Sequence, residues 1–318
     1  NEQQLKIQLV TSATKIALGK HFVFEPFHVN HNIVDAFGAA IHTPYGTVIC
    51  TGDFKFDFTP VNEDPADLTH VAMFGARGVL AMMSDSTNAE SPGNQISERQ
   101  VGLELDRIFA ESKGRLVIAT FASLLTRVQQ LVALAEKYGR KVLLQGRGMI
   151  SNVELAHSLG YLHFTPSTLM EEHELLKLPD EKVVIIGTGA QGERYAMLMR
   201  VANKEHRLIT LKTGDSVLFS SSAIPGNERT IQRLKDTLVR QGAKLYHYKN
   251  LDVHSVGHAK QEELKLMLRL IKPKYFIPCH GNRFMLETHG QLAQEVGVPK
   301  ANVFVADNGQ VMEFDNAG

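Results

Sequence analysis

Val48-Ile49-Cys50-Thr51-Gly52-Asp53-Phe54-Lys55-Phe56-Asp57 is the stretch from which the rest of this chain is read. An apolar run of strand length stops at a glycine and a carboxylate, then continues with charges alternating with aromatics. A carboxylate at the end of a buried strand is costly to hold there unless a cation or a set of hydrogen bonds receives it. Asp53 therefore needs a partner. Three histidine-bearing loops can supply one: His28 and His31 upstream, His254 and His258 far downstream, and His280 after the apolar run at 275–279. Histidine and aspartate, each delivered by the end of a strand, form the ligand chemistry of zinc or manganese.

Upstream of that stretch the pattern is short and strand-like, over 6–11, 15–18 and 21–27. Two further strands, 37–42 and 47–51, are joined by the turn residues Thr43-Pro44-Tyr45-Gly46. That hairpin places His31 before its first strand and Asp53 after its second, at the same end of the pair, where the side chains can meet. Residues 57–70 read as a polar loop. The buried-strand run at 79–83 again ends on a carboxylate, in Ser84-Asp85-Ser86-Thr87, so Asp85 repeats the logic of Asp53.

Past Ser91-Pro92-Gly93 the rhythm changes. Ser97 with Gln100 reads as a capping box, and strands at 115–121, 141–145, 182–186, 216–220 and 244–248 alternate with helices at 97–112, 123–138, 149–159, 193–203 and 228–240. Such alternation is the signature of a doubly wound parallel sheet. The expected organisation is therefore α/β, with a second unit over 96–250 inserted between 1–95 and 251–318. The tail returns to the earlier style, with helices at 261–271 and 283–296 around a strand at 274–278, and strands near Val303 and Val311.

The 318 residues allow one large or two ordinary domains, and 43% hydrophobic with 21% charged residues is the composition of a globular protein. No apolar run reaches the roughly 18 residues of a membrane span and no signal-peptide pattern opens the chain, so the expected location is cytoplasmic. Thirty-four basic residues balance thirty-four acidic ones; a nucleic-acid site must then be a local groove. Cys50 and Cys279 offer no disulfide framework and read as small buried side chains at strand ends.

One motif competes. Gly187-Thr188-Gly189-Ala190-Gln191-Gly192 fits G-x-G-x-x-G, follows a strand and has Asp215 downstream, as a dinucleotide-binding oxidoreductase would. Against that, it sits in a late strand of the insert, and Gln191 and Glu193 put bulk and charge beside the would-be pyrophosphate. Among the histidines, His70, His157, His163, His206 and His289 read as ordinary core or surface residues, whereas His31, His258 and His280 lie at loop or strand ends beside small residues.

The pieces Asn30-His31-Asn32-Ile33, Thr51 to Asp57 as quoted, Ser84-Asp85-Ser86-Thr87, Ser220-Ser221-Ser222-Ala223-Ile224-Pro225-Gly226-Asn227, Gly257-His258 and Ile277-Pro278-Cys279-His280-Gly281, in this order, closely resemble bacterial ribonuclease J. That family belongs to the metallo-β-lactamase superfamily and carries the β-CASP insertion. The resemblance implies a metallo-β-lactamase αββα sandwich with an inserted doubly wound β-CASP domain. It implies His31, Asp53 and His280 as metal ligands, with Asp53 bridging two divalent ions, zinc first and manganese or magnesium as alternatives. It implies Asp85 as the residue that orients the site histidines and His258 as the group near the scissile phosphate. Ser123, Ser221 and His254 follow as phosphate contacts for single-stranded RNA held across the cleft between domains.

The implied activity is a two-metal ribonuclease, 5′ to 3′ exonucleolytic and endonucleolytic, acting in rRNA processing and mRNA decay. The implied assembly is a homodimer or homotetramer, with or without a paralogous subunit. The rival from another class is a catalytically inactive RNA-binding or scaffolding relative; the oxidoreductase stands third. The sequence also departs from the family pattern. The H-x-H-x-D-H ligand motif is absent and in the family lies upstream of where this chain begins, at Asn1, so the expectation is a sequence truncated upstream and lacking the C-terminal domain. Val256 stands where the family has a serine, Asn282-Arg283 replaces an acidic and an aromatic residue, and Leu124-Leu125-Thr126 replaces a more polar segment. These mark a divergent member with an altered grip on RNA.

Overall fold

Strands β1 (Ile16–Leu18), β2 (Phe22–His28), β3 (Phe37–Thr43) and β4 (Gly46–Cys50), helix α1 (Leu68–Arg77) and strand β5 (Val79–Asp85) open the chain in a computed structural model that describes residues 8–12, 14–224, 226–248 and 251–314. Then follow α2 (Glu98–Glu111), β6 (Leu116–Ala119), α3 (Leu125–Lys137), β7 (Lys141–Gln145), α4 (Arg147–Ser158), β8 (Val183–Gly187), α5 (Met197–Ala202), β9 (Ser216–Phe219), α6 (Glu228–Arg240) and β10 (Lys244–His247). The last elements are α7 (Gln261–Ile271), β11 (Pro273–Cys279) and α8 (Arg283–Glu295).

The elements form two sheets. The first has the order β1-β2-β3-β4-β5-β11, antiparallel from β1 to β4 and parallel from β4 to β11. Its C-terminal strand thus comes from beyond the insert and pairs beside β5, Cys279 opposite Asp85. Helices α1, α7 and α8 cover one face. Phe27, Ala40, Ile49, Met82 and Phe276 point into that layer with Val71, Phe74, Leu264, Leu268 and Leu292; each fully buried Phe there contributes about 1.5–3 kcal/mol.

The other face is apolar and uncovered among the described residues. Register puts Leu18, Phe22, Phe24, Phe37, Ile41, Val48 and Met83 on it, and Phe22 and Phe37 are about half exposed. The described residues thus supply one sheet and one helix layer of the expected αββα sandwich. Cys50 belongs to this face and is exposed, not buried as its sequence context suggested, because Ala39 and Met83 beside it in the register share that face.

The second sheet is parallel throughout, in the order β10-β9-β6-β8-β7. Side chains alternate between its faces as a period of two demands. Leu116, Ile118, Val184, Ile186 and Leu218 pack under α2, α3 and α4, whereas Val117, Ala119, Val183, Ile185, Val217 and Phe219 pack under α5 and α6. Helices on both faces make it doubly wound, as read from the sequence.

Several expectations differ in detail. Residues 8–11 form no strand, while 6 and 7 lie outside the described residues, as do Pro225 of the serine-rich motif and the end of the insert at 250. Val303 makes an isolated bridge to Phe276, and no strand forms at Val311. Helix α1 was not expected. Asp67 caps it through the His70 N–H, and Val71 and Phe74 bury its inner face, so the caps and apolar spacing outweighed the prolines that precede it. The helix expected from 193 starts only at Met197. The glycine-rich loop therefore does not open directly into a helix, which removes the anion-binding terminus that a dinucleotide site uses.

Candidate metal centre

The C-terminal ends of β4, β5 and β11 lie side by side, and each delivers one donor. Past β4 the chain turns through Gly52, at φ +61°, a left-handed conformation suited to glycine, and presents Asp53. Strand β5 ends on Asp85. His280 follows β11 directly and is itself left-handed at φ +52°, a strained conformation for a residue with a Cβ and one that clusters at functional sites. His258 arrives from the loop before α7, held by Ala259 N–H to Phe54 O at 2.6 Å and by Asn88 and Gln95 amides on its carbonyl. Donor atoms of Asp53, Asp85, His258 and His280 all lie within 4.8 Å of one another.

His31 completes the ring of side chains. Its Nδ1 is 2.7 Å from the Gly257 carbonyl, so Nδ1 carries the proton and Nε2 turns its lone pair toward Asp53, 3.8 Å away. The fit is tight: a Cβ on Gly257 would sit 2.5 Å from His31 Nδ1. The His31 and His258 rings are 5.0 Å apart, those of His258 and His280 5.6 Å.

Asp85 is the hub. Its Oδ2 lies 2.8 Å from His258 Nδ1, and its Oδ1 accepts from the Thr87 N–H at 3.0 Å and hydroxyl at 2.7 Å. Burial works against its charge, yet the bonds from His258 and Thr87 hold its carboxyl down at about 2. Burial likewise works against protonated His258, and the Asp85 bond more than offsets it, so His258 titrates above its ordinary value. His31 goes the other way, lowered by burial and by His258.

The centre is short of cations. His280 Nδ1 lies 3.2 Å from Asp53 Oδ1, 3.2 Å from Asp85 Oδ1 and 3.0 Å from Thr87 Oγ1. One ring nitrogen has a single proton to share among two carboxylates and a hydroxyl. Two carboxylates and two imidazoles within 4.8 Å of one another, with the His31 ring beside them, are the mixed oxygen and nitrogen donor set of a divalent cation, and the residues present fit such an ion.

The other sequence-selected residues lie elsewhere. Ser123 lines a cavity of about 320 Å³ with Thr120, Asn152, Thr188, Gly189 and Gln191. Strands β6 and β8 send their helices to opposite faces, so this crevice is the switch point where open α/β sheets take ligands. Ser221 is buried, its hydroxyl 3.3 Å from Gln191 Nε2. His254 is buried too, and burial beside Arg127 pushes it down to about 3, which keeps it neutral. Sequence reasoning gave no role of their own to Thr87, Gly257 or the buried charges Lys55, Glu98 and Arg127. Thr87 stood in the quoted Ser-Asp-Ser-Thr motif, and a hydroxyl two residues after a strand-end carboxylate is a turn signal.

Residues 113–238 match the family model "Ribonuclease J, beta-CASP domain" and residues 249–306 match "Zn-dependent metallo-hydrolase RNA specificity domain". Ribonuclease J of Synechocystis is 42% identical over 312 residues, 98% of this chain and 49% of that protein. Ribonuclease J 1 of Streptococcus pyogenes is 46% identical over 286 residues, 90% of this chain and 51% of that protein. Ribonuclease J2 of Bacillus subtilis is 40% identical over 288 residues. The chain thus spans about half the length of the curated relatives it matches. A crystal structure of a protein of unknown function from Enterococcus faecalis shares the fold, with a TM-score of 0.66 at 16% identity over 96% of this chain and 67% of that one.

Proposed function

The chain belongs to the ribonuclease J family, and from that premise we propose that it serves the hydrolysis of phosphodiester bonds in single-stranded RNA, by 5′ to 3′ exonucleolytic and endonucleolytic cleavage. The observation that carries this reading is the convergence of Asp53, Asp85, His258 and His280 within 4.8 Å, with His31 beside them. Asp53, His31 and His280 are the ligands we assign to two divalent cations, zinc first. A bound divalent cation supplies the positive charge that activates water and stabilises the added negative charge on phosphorus.

The chain's own groups do the rest. Asp85 fixes the His258 ring through Nδ1, which leaves Nε2 facing the substrate side. As water adds to phosphorus and the bond to the leaving oxygen breaks, protonated His258 gives that oxygen its proton. Ser123, in the crevice at the ends of β6 and β8, is placed in this reading to take a backbone phosphate; Ser221 and His254 lie behind it, against the lining residues Gln191 and Phe121. RNA is the partner, and the homodimer or homotetramer, with or without a paralogous subunit, and the cytoplasmic location carry over from the resemblance. Among the described residues no helix is long and apolar enough to cross a membrane.

The test is metal content and cleavage of a 5′-monophosphorylated RNA, on the full-length protein and on His280→Ala. Divalent metal near two ions per chain, with cleavage lost in the variant, supports the reading. RNA binding with neither metal nor cleavage in the full-length protein would return the inactive scaffolding subunit.

A further inference from the structure

The alternation in Phe54-Lys55-Phe56-Asp57 sends its two aromatics and its two charges to opposite sides. Phe54 and Phe56 join the core under the first sheet. Lys55 and Asp57, as buried as the aromatics, face the junction with the insert. A lysine ammonium without water must be met by charge and hydrogen bonds. Here Lys55 Nζ donates to Ser255 Oγ at 2.9 Å and Glu98 Oε1 at 3.3 Å, with Asp57 Oδ2 at 3.7 Å.

Glu98 opens α2 and is the next link. Its backbone N–H donates to Asp57 Oδ2 at 2.7 Å, and its Oε2 receives Arg127 Nη2 at 2.6 Å. Arg127, on α3 and with no exposed surface, also donates to Ser220 Oγ, to the Val253 carbonyl at 2.7 Å and to Gln130 Oε1 at 2.8 Å. Ser255 Oγ in turn donates to the Ile96 carbonyl at 2.7 Å. Both chain crossings between the two sheets, one before α2 and one after β10, are therefore tied into one buried chain of charges.

Two cations and two carboxylates balance within it. His254 stays neutral against Arg127, and Glu63, which burial raises to about 7, is the remaining acid facing Lys55. At its metal end the chain reaches two donors at once. The Lys55 N–H donates to Asn30 O at 2.9 Å, in a bridge next to His31, and Asp53 stands two residues before Lys55. Any shift of Lys55 moves both.

We propose that the Lys55–Glu98–Arg127 chain is the pin that sets the insert against the metal-binding sheet, with Lys55 and Arg127 acting as positioning residues for Asp53 and His31. The proposal rests on the reading of Asp53 and His31 as part of the metal centre. It assigns these buried charges a role in geometry; a purely packed junction would not need them.

Arg127→Met leaves two carboxylates facing one cation, and Arg127→Met with Glu98→Gln restores the balance while cutting the chain. The readouts are thermal unfolding, peptide-resolved deuterium exchange, zinc affinity, and turnover of single-stranded RNA, all on the full-length protein. In the double variant most of the lost thermal stability returns. Amides of 51–57 exchange about tenfold faster than in the parent, zinc binds about 10- to 100-fold more weakly, and kcat falls about 10²-fold with KM little changed. Exchange and zinc affinity at parental values in a stable double variant would overturn the pin. If exchange and zinc affinity change as expected but the parent cleaves no RNA, the pin stands and the RNA-hydrolysis reading falls. Should the double variant not fold, Ser255→Ala removes only the hydroxyl that Lys55 reaches: faster exchange at 51–57 supports the pin, and unchanged exchange overturns it.

Discussion

His258 Nδ1 stands 2.8 Å from Asp85 Oδ2, while the other oxygen of Asp85 is already taken by the N–H and hydroxyl of Thr87. This division of labour fixes which end of the carboxylate the histidine sees. In Asp85→Asn the amide oxygen stays with Thr87, because both Thr87 groups donate. The NH₂ then faces His258 Nδ1 and forces the opposite tautomer, with Nδ1 as acceptor. The expected outcome is a fall in kcat of about 10²–10⁴-fold with RNA affinity nearly intact, checked by steady-state turnover alongside binding to an uncleavable RNA. Asp85→Glu, which keeps the charge and moves the oxygens, is expected to recover little.

Gly257 is small for a reason that lies across the site. A Cβ there would stand 2.5 Å from His31 Nδ1, 2.6 Å from His31 Cε1 and 2.8 Å from Asn32 Cγ. Its φ lies outside the left-handed range, so Gly257→Ala strains the site through contact alone. The His31 ring must swing away from Asp53, and a divalent ion should bind about 10- to 100-fold more weakly. Isothermal titration with zinc measures this, and thermal unfolding of the metal-free protein should change by no more than about 1 kcal/mol.

What the sequence disclosed follows from where the chemistry sits. Strand ends are legible because an apolar run that stops on a carboxylate has no cheaper explanation, and Asp53 and Asp85 were read on that ground. The insert was legible because β8 and β9 are short apolar runs between amphipathic helices. Glu98 and Arg127 were not, since a charged residue on a helix looks solvated until tertiary packing buries it. Neither was the exposure of Cys50, because period-two alternation names two faces without saying which one is covered. Helix α1 was hidden by the prolines before it, although Asp67 with Val71 and Phe74 had the spacing of a capped helix.

A second buried carboxylate sets an acid limit on stability. Glu25 on β2 is bonded by His42 of β3 at 2.7 Å, by His70 of α1 at 3.0 Å and by Lys15 at 3.1 Å. Burial alone would raise its pKa; the His70, His42 and Lys15 contacts overcome that and lower it from 4.5 to about 2. A carboxyl lowered on folding stabilises the native state above its unfolded pKa, and that contribution disappears as pH falls through the folded one. The expected loss lies between about pH 4.5 and pH 2 and is on the order of 3 kcal/mol. Denaturant titrations of the parent and of Glu25→Gln across this window check it. The variant should be less stable at neutral pH, and the difference should shrink as the solution is acidified.

His280 combines the ligand role proposed for it with a backbone that disfavours it. At φ +52° any residue with a Cβ is strained, and glycine is not. His280→Ala and His280→Gly should therefore lose the same imidazole and the same metal affinity but differ in stability. Glycine relieves the left-handed turn but adds freedom to the unfolded chain, and relief wins where the native φ is positive. The metal-free glycine variant is expected to be about 1 kcal/mol more stable than the alanine variant, measured by chemical denaturation in the presence of chelator. Alanine as stable as glycine would mean that the turn after β11 relaxes once the imidazole is gone. The strain would then be held in place by the bonds His280 makes to Asp53, Asp85 and Thr87, and not by the path of the strand.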